Sequence, residues 1–153
     1  MRYESPSCKG IWALEQEQDI IGLIEYEVAI LVRRAVAAGN VGSLDRSAYL
    51  LLRQLEMQGP VGVKALADEF RLDISTVSRQ TAALEAKGLV QRLPNPEDGR
   101  ASLFQITDEG MRQLTETRTA RKNRYSLLLK DWSDEDRRKL GGLLARLNRT
   151  FID

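Results

Sequence analysis

The sequence contains no histidine. That absence removes Ser-His-Asp and Cys-His catalysis, and most zinc sites with them, because imidazole is the proton carrier in the first two and a usual ligand in the third. Cysteine is nearly absent as well. Cys8 stands alone among 153 residues, so no disulfide can close within the chain and no cysteine cluster can hold a metal. A reducing cytosol is the natural setting, and a cytoplasmic protein without a bound metal is expected. No apolar run exceeds the five residues of Val28–Val32 and Ala48–Leu52, whereas a membrane helix needs about 20, so no membrane partner is expected. Residues 1–10 lack a basic segment followed by an apolar core, so no secretory leader is expected either. Charge of a single sign is also missing. The 23 basic and 22 acidic residues leave a net charge of +1, so any binding to nucleic acid must come from local placement of charge. The most basic stretch, residues 108–153, carries 11 basic and 8 acidic side chains in mixed order, as solvated helix faces do.

What is present is an ordinary globular composition, 42% hydrophobic and 29% charged, of a length suited to about one domain. Glycine and proline punctuate it at Ser5-Pro6, Gly39–Gly42, Gly59–Gly62 and Pro94–Gly99. Between these marks the periodicity predicts a long first helix over about Ile11–Ala38, apolar on more than one side. A second helix, capped by Ser43 or Asp45, runs to about Gln58. A short helix over Val63–Phe70 follows, then a tight Arg71–Asp73 connection. The next helix spans Ile74–Lys87, with Asp73 at its N-cap and Gly88 ending it. Two β-favouring runs, Leu89–Leu93 and Ala101–Ile106, flank the turn formers of Pro94–Arg100 and predict a hairpin with a long polar tip. Thr107 or Asp108 opens a helix to about Lys130. A final helix begins at Ser133–Asp136 and carries a stripe of Leu140, Leu143, Leu144, Leu147 and Phe151.

Two helices joined by a three-residue turn and followed by a hairpin make a winged helix-turn-helix, in a mainly α chain with a small β-hairpin wing. On a helical wheel Ile74, Val77, Thr81 and Leu84 fall within an arc of about 80°, the expected buried face. The opposite side presents Ser75, Thr76, Arg79 and three alanines, with Ser78 and Gln80 on its flanks. Such a face is small and polar enough to lie in a major groove, where Arg bonds guanine O6 and N7 and the hydroxyls serve base edges or phosphates. A merely solvated helix face would carry more Glu and Lys than this one does. At the hairpin tip, Asp98 stands two residues before Arg100, a spacing that would let its carboxylate hold the guanidinium for a narrow minor groove.

These residues resemble the MarR family of bacterial and archaeal transcriptional regulators. The resemblance is carried by Leu66–Phe70, Ser75–Arg79, Leu84–Arg92, Pro94–Arg100, Leu103 and Ile106–Gly110, together a span of about 45 residues. It implies a homodimer whose N- and C-terminal helices interlock, double-stranded DNA with a palindromic operator as partner, the Ser75–Gln80 helix in the major groove and Arg100 in the minor groove. It also implies a repressor that releases DNA on binding a small, often aromatic, ligand. One departure is Gly99, where the family's wing usually carries a further arginine.

The sequence supports a dimer independently. Ile20, Leu140, Leu143, Leu144, Leu147 and Phe151 are more apolar surface than one small lobe can cover, since Ile24, Leu127 and Leu128 compete for the same space. The expected organisation is therefore a helical dimerisation region (residues 11–42 and 108–153) around a DNA-binding lobe (residues 43–107). Trp12, Tyr26, Tyr49 and Trp132 are the aromatics available to an effector pocket, although each reads more simply as core. Two alternatives accompany this reading. Some members of the family sense peroxides through a cysteine near the first helix, and Cys8, beside Lys9, stands before it without a resolving partner. A winged helix can also serve only protein partners, and would then lack the steep salt dependence of DNA binding. An enzyme is not expected, because the Glu97–Asp98 pair lies in a turn without an apolar pocket to raise a pKa.

Overall fold

The computed structural model describes residues 19–151. The predicted starts of the first helix, Cys8 and Trp12 lie outside the described residues. The chain divides into two compact units, Met1–Gly39 and Asn40–Asp153.

The first unit contains α1 (Ile20–Ala37), whose N-cap Asp19 accepts a hydrogen bond from the Gly22 amide at 2.8 Å. None of its residues is buried, and Ile20, Ile21, Leu31, Val32 and Val36 are all well exposed.

The second unit runs α2 (Arg46–Gln58), β1 (Val61–Gly62), α3 (Val63–Phe70), α4 (Ile74–Ala86), β2 (Val90–Pro94), β3 (Ser102–Ile106), α5 (Asp108–Leu128) and α6 (Asp134–Thr150). Short polar side chains start the longer helices. Asp45 accepts from the Ala48 amide, Thr107 from Gly110 and Ser133 from Asp136, each satisfying a donor the helix itself leaves free. Asp73 occupies the N-cap position of α4 as expected, but its side chain makes no capping bond there. Arg71 takes up the left-handed conformation (φ 50°) that closes α3, and Gly88 does the same (φ 71°) after α4.

The core gathers Leu51, Leu52 and Leu55 of α2, Leu66 of α3, Val77 and Leu84 of α4, Leu89, Phe104 of β3 and Leu114 of α5. The wing is larger than the predicted hairpin. β1 adds a third strand in the order β1-β3-β2, all antiparallel, with Val61 opposite Phe104 and Arg92 opposite Phe104 on its other side. The buried residues of α5, Gly110, Leu114 and Thr117, lie in its first half. No residue of α6 is buried. Among the described residues no helix is long and apolar enough to cross a membrane.

Candidate nucleic-acid interface

α4 is clamped on one side. Val77, Thr81 and Leu84 are buried, and the Thr81 hydroxyl donates to the Val77 and Ser78 carbonyls at 2.9 and 3.0 Å, so its polarity costs the core nothing. The C-terminus is locked by two bonds, from the Leu89 amide to the Leu84 carbonyl and from the Gly88 amide to the Glu85 carbonyl, both 2.9 Å. Ile74 departs from expectation. It shares the wheel angle of the buried residues yet remains 55% exposed.

The opposite side is open. Ser75, Ser78 and Arg79 are exposed, and Thr76 and Gln80 are half-buried at its margins. Among the described residues no acceptor holds the Arg79 guanidinium. A free planar cation flanked by hydroxyls, on a helix that cannot rotate, is an arrangement suited to reading base edges.

The wing is tied to α4 by a contact that the sequence pattern did not reveal. Arg92 on β2 reaches Glu85 with both arms of its guanidinium, at 3.0 and 3.4 Å, and lies 4.9 Å from the centroid of the Phe104 ring. The hydrogen bond from Arg92 holds the Glu85 carboxyl below its usual range. Both side chains are well solvated, so the pair contributes direction more than stability. Its only trace in the sequence is an opposite-charge pair seven residues apart across the Gly88 turn.

At the wing tip, Asp98 and Arg100 are neighbours in a different sense from the one expected. The Asp98 carboxylate accepts from the Arg100 backbone amide at 3.0 Å and does not hold the guanidinium. Asn95 accepts from the Glu97 amide in the same way, also at 3.0 Å. Two successive turns of this kind shape the tip and leave the Arg100 side chain exposed, with no acceptor among the described residues.

The other residues singled out in the sequence lie elsewhere. Ile20 is exposed on α1. Leu143, Leu144 and Leu147 on α6 and Phe151 at its end are exposed, and Leu140 is half-buried. Of the aromatics, Tyr26 and Trp132 are exposed rather than core, which corrects the simpler reading of both. Tyr49 is half-buried, with the Arg121 guanidinium 4.5 Å from its ring centroid and Arg53 donating to its hydroxyl at 3.4 Å. Close by, Arg118 pairs with Glu56 across α2 and α5.

A helix-turn-helix whose second helix is fixed on one side and offers free hydroxyls and a guanidinium on the other, beside a β-wing with an open arginine, defines a winged-helix DNA-binding protein. Comparison with known proteins narrows the class. The family model described as "MarR family" matches residues 44–102. The HTH-type transcriptional regulator YxaD of Bacillus subtilis (strain 168) is 50% identical over 142 residues, covering 90% of this chain and 99% of that one. The chain belongs to the MarR family of transcriptional regulators. Two solved structures share its fold. The PcaV regulator of Streptomyces coelicolor in complex with its natural ligand has a TM-score of 0.67 at 19% identity, covering 86% of this chain and 93% of that one. A mutant MarR of E. coli complexed with operator DNA has a TM-score of 0.60 at 22% identity, covering 69% and 76%. The family and the relatives are regulators, not enzymes.

Proposed function

We propose that the protein is a homodimeric, ligand-responsive repressor that holds a two-fold-symmetric operator, with one α4 in the major groove of each half-site and each Arg100 in a neighbouring minor groove. The observation that carries this reading is the uncommitted Arg79 guanidinium on the outer face of a rigid α4. The dimer reading rests on the apolar surface left uncovered on α1 and α6, and assigns residues 11–42 and 108–153 to dimerisation and 43–107 to DNA. The relative solved with operator DNA supports the partner, and PcaV, solved with its natural ligand, supports a small-molecule effector. A small aromatic acid is the effector class we would screen first, by thermal shift.

Selection of bound duplexes from a random DNA pool tests the reading. A two-fold consensus with half-sites about 34–36 Å apart is expected. An asymmetric consensus, or no enrichment, would contradict it. Within that site, Arg79→Ala is expected to cost about 1–3 kcal/mol and to relax preference at one base pair per half-site, as read by competition with single-base variants. Arg100→Ala is expected to weaken binding while leaving preferences at major-groove positions unchanged. Equal affinity in a gel shift would remove Arg100 from the interface.

A further inference from the structure

A groove of about 460 Å³ lies between the helix-turn-helix and the wing. Lys64 at the start of α3, Ser78 of α4, Arg92 of β2 and Arg100 and Ser102 of the wing all line it, and no carboxylate does. Its three cations are not equivalent. Arg92 is spent on Glu85. Arg100 sits at the tip, placed for a groove of the DNA. Lys64 is exposed and has no acceptor among the described residues.

Between a major groove and the minor groove next to it, a duplex has one sugar–phosphate strand. A protein that sets α4 in the first and its wing in the second must therefore straddle that strand, and the space between Ser78 and Arg100 is where it has to run. We propose that this groove is a phosphate seat, and that Lys64 is the side chain that neutralises the phosphodiester passing through it, with the Ser78 and Ser102 hydroxyls as further donors. The inference rests on the operator reading above. It adds a residue of α3 to the DNA-contacting set and assigns it to fixing register, not to reading bases, because a phosphate contact carries no sequence information of its own.

The test uses the full-length protein and a duplex bearing the selected consensus. Lys64→Ala is expected to weaken binding to all sequence variants by the same factor. It is also expected to reduce the slope of log K against log salt by about 0.9 per half-site, the value for one phosphate contact. Lys64→Arg is expected to restore the slope. A set of duplexes, each with one neutral methylphosphonate linkage, locates the contact. The wild type should lose affinity at a particular linkage between the two grooves in each half-site, and Lys64→Ala should be insensitive at that linkage alone. An unchanged slope in Lys64→Ala, or a loss of affinity at that linkage equal to the wild type's, would overturn the proposal while leaving the operator reading intact. Failure of the wild type to bind any duplex would overturn both. Lys64 is exposed, so its truncation leaves the core untouched.

Discussion

Leu144→Asp is expected to yield a folded monomer that binds the consensus duplex about a thousandfold more weakly than the wild type. α6 contributes nothing to the core of its own chain: it has no buried residue, and Leu143 is 62% and Leu144 40% exposed. Fully burying a leucine is worth about 1.5–3 kcal/mol, and a two-fold interface loses each such contact twice. The substitution also asks two carboxylates to enter an apolar seam without partners, which adds to the cost. The consequence for DNA follows from linkage of two half-sites. For a dimer with Kd of about 10⁻⁹ M and an effective concentration of about 10⁻³ M for the second half-site, one half-site alone binds at about 10⁻⁶ M. Sedimentation or light scattering should report half the wild-type mass, with an unchanged far-UV spectrum. A variant of unchanged mass would show that this face of α6 is not the seam, and a monomer retaining full affinity would show that two half-sites are not read together.

The parts of the fold set by local rules were legible in the sequence. Asp45 before Arg46, Ser133 before Asp134 and Gly88 after Lys87 mark helix ends because short acceptors and a left-handed glycine do the same work in any helix. The helix Val63–Phe70 and the turn after it were equally plain. What could not be read depends on pairing at a distance. β1 is two residues long and lies beside Gly59-Pro60, and it is a strand only because Phe104 and Leu103 arrive opposite it. The Glu85–Arg92 tie exists once the Gly88 turn brings the end of α4 against β2. Ile74 shows that a wheel angle predicts direction and not cover, since it shares the arc of the buried residues and is still 55% exposed. Asp98 shows the limit of alternation arguments. Side chains two apart share a face in a strand, but in a turn the carboxylate finds the nearer backbone amide first. The two exposed arginines are thus presented by different routes. Arg79 follows from helical geometry, whereas Arg100 is presented by a tip in which the Asp98 carboxylate turns to the Arg100 backbone amide instead of its guanidinium.

Gly110→Ala is expected to lower stability by about 3 kcal/mol and the midpoint of thermal unfolding by about 10 °C, against the usual preference for alanine in helices. Gly110 is the third residue of α5 and is buried there. Helix propensity alone would favour the alanine by about 1 kcal/mol. Space forbids it. A Cβ on residue 110 would stand far inside contact distance of the Leu89 carbonyl oxygen, 2.8 Å from Ile106 Cγ1 and 3.1 Å from the Leu89 carbonyl carbon. The carbonyl cannot swing aside, because it accepts the Thr107 amide at 3.1 Å and belongs to a buried residue at the entrance to β2. Beside it, the Thr107 hydroxyl donates to the Gly88 carbonyl at 2.6 Å while accepting from the Gly110 amide at 3.1 Å. Making room for one methyl therefore means lifting the start of α5 off the 88–90 turn and loosening bonds worth about 1 kcal/mol each, which offsets the gain in propensity and more. That turn also ends α4 and begins the wing, so the loss should extend to DNA affinity. Gly99, whose Cβ would meet nothing within 4 Å, is the matched control, and Gly99→Ala is expected to leave the midpoint where it was. The two variants are compared at one protomer concentration, since the proposed dimer would make the midpoint depend on it. Equal midpoints for Gly110→Ala and the wild type would mean that α5 is not seated on the Leu89 carbonyl.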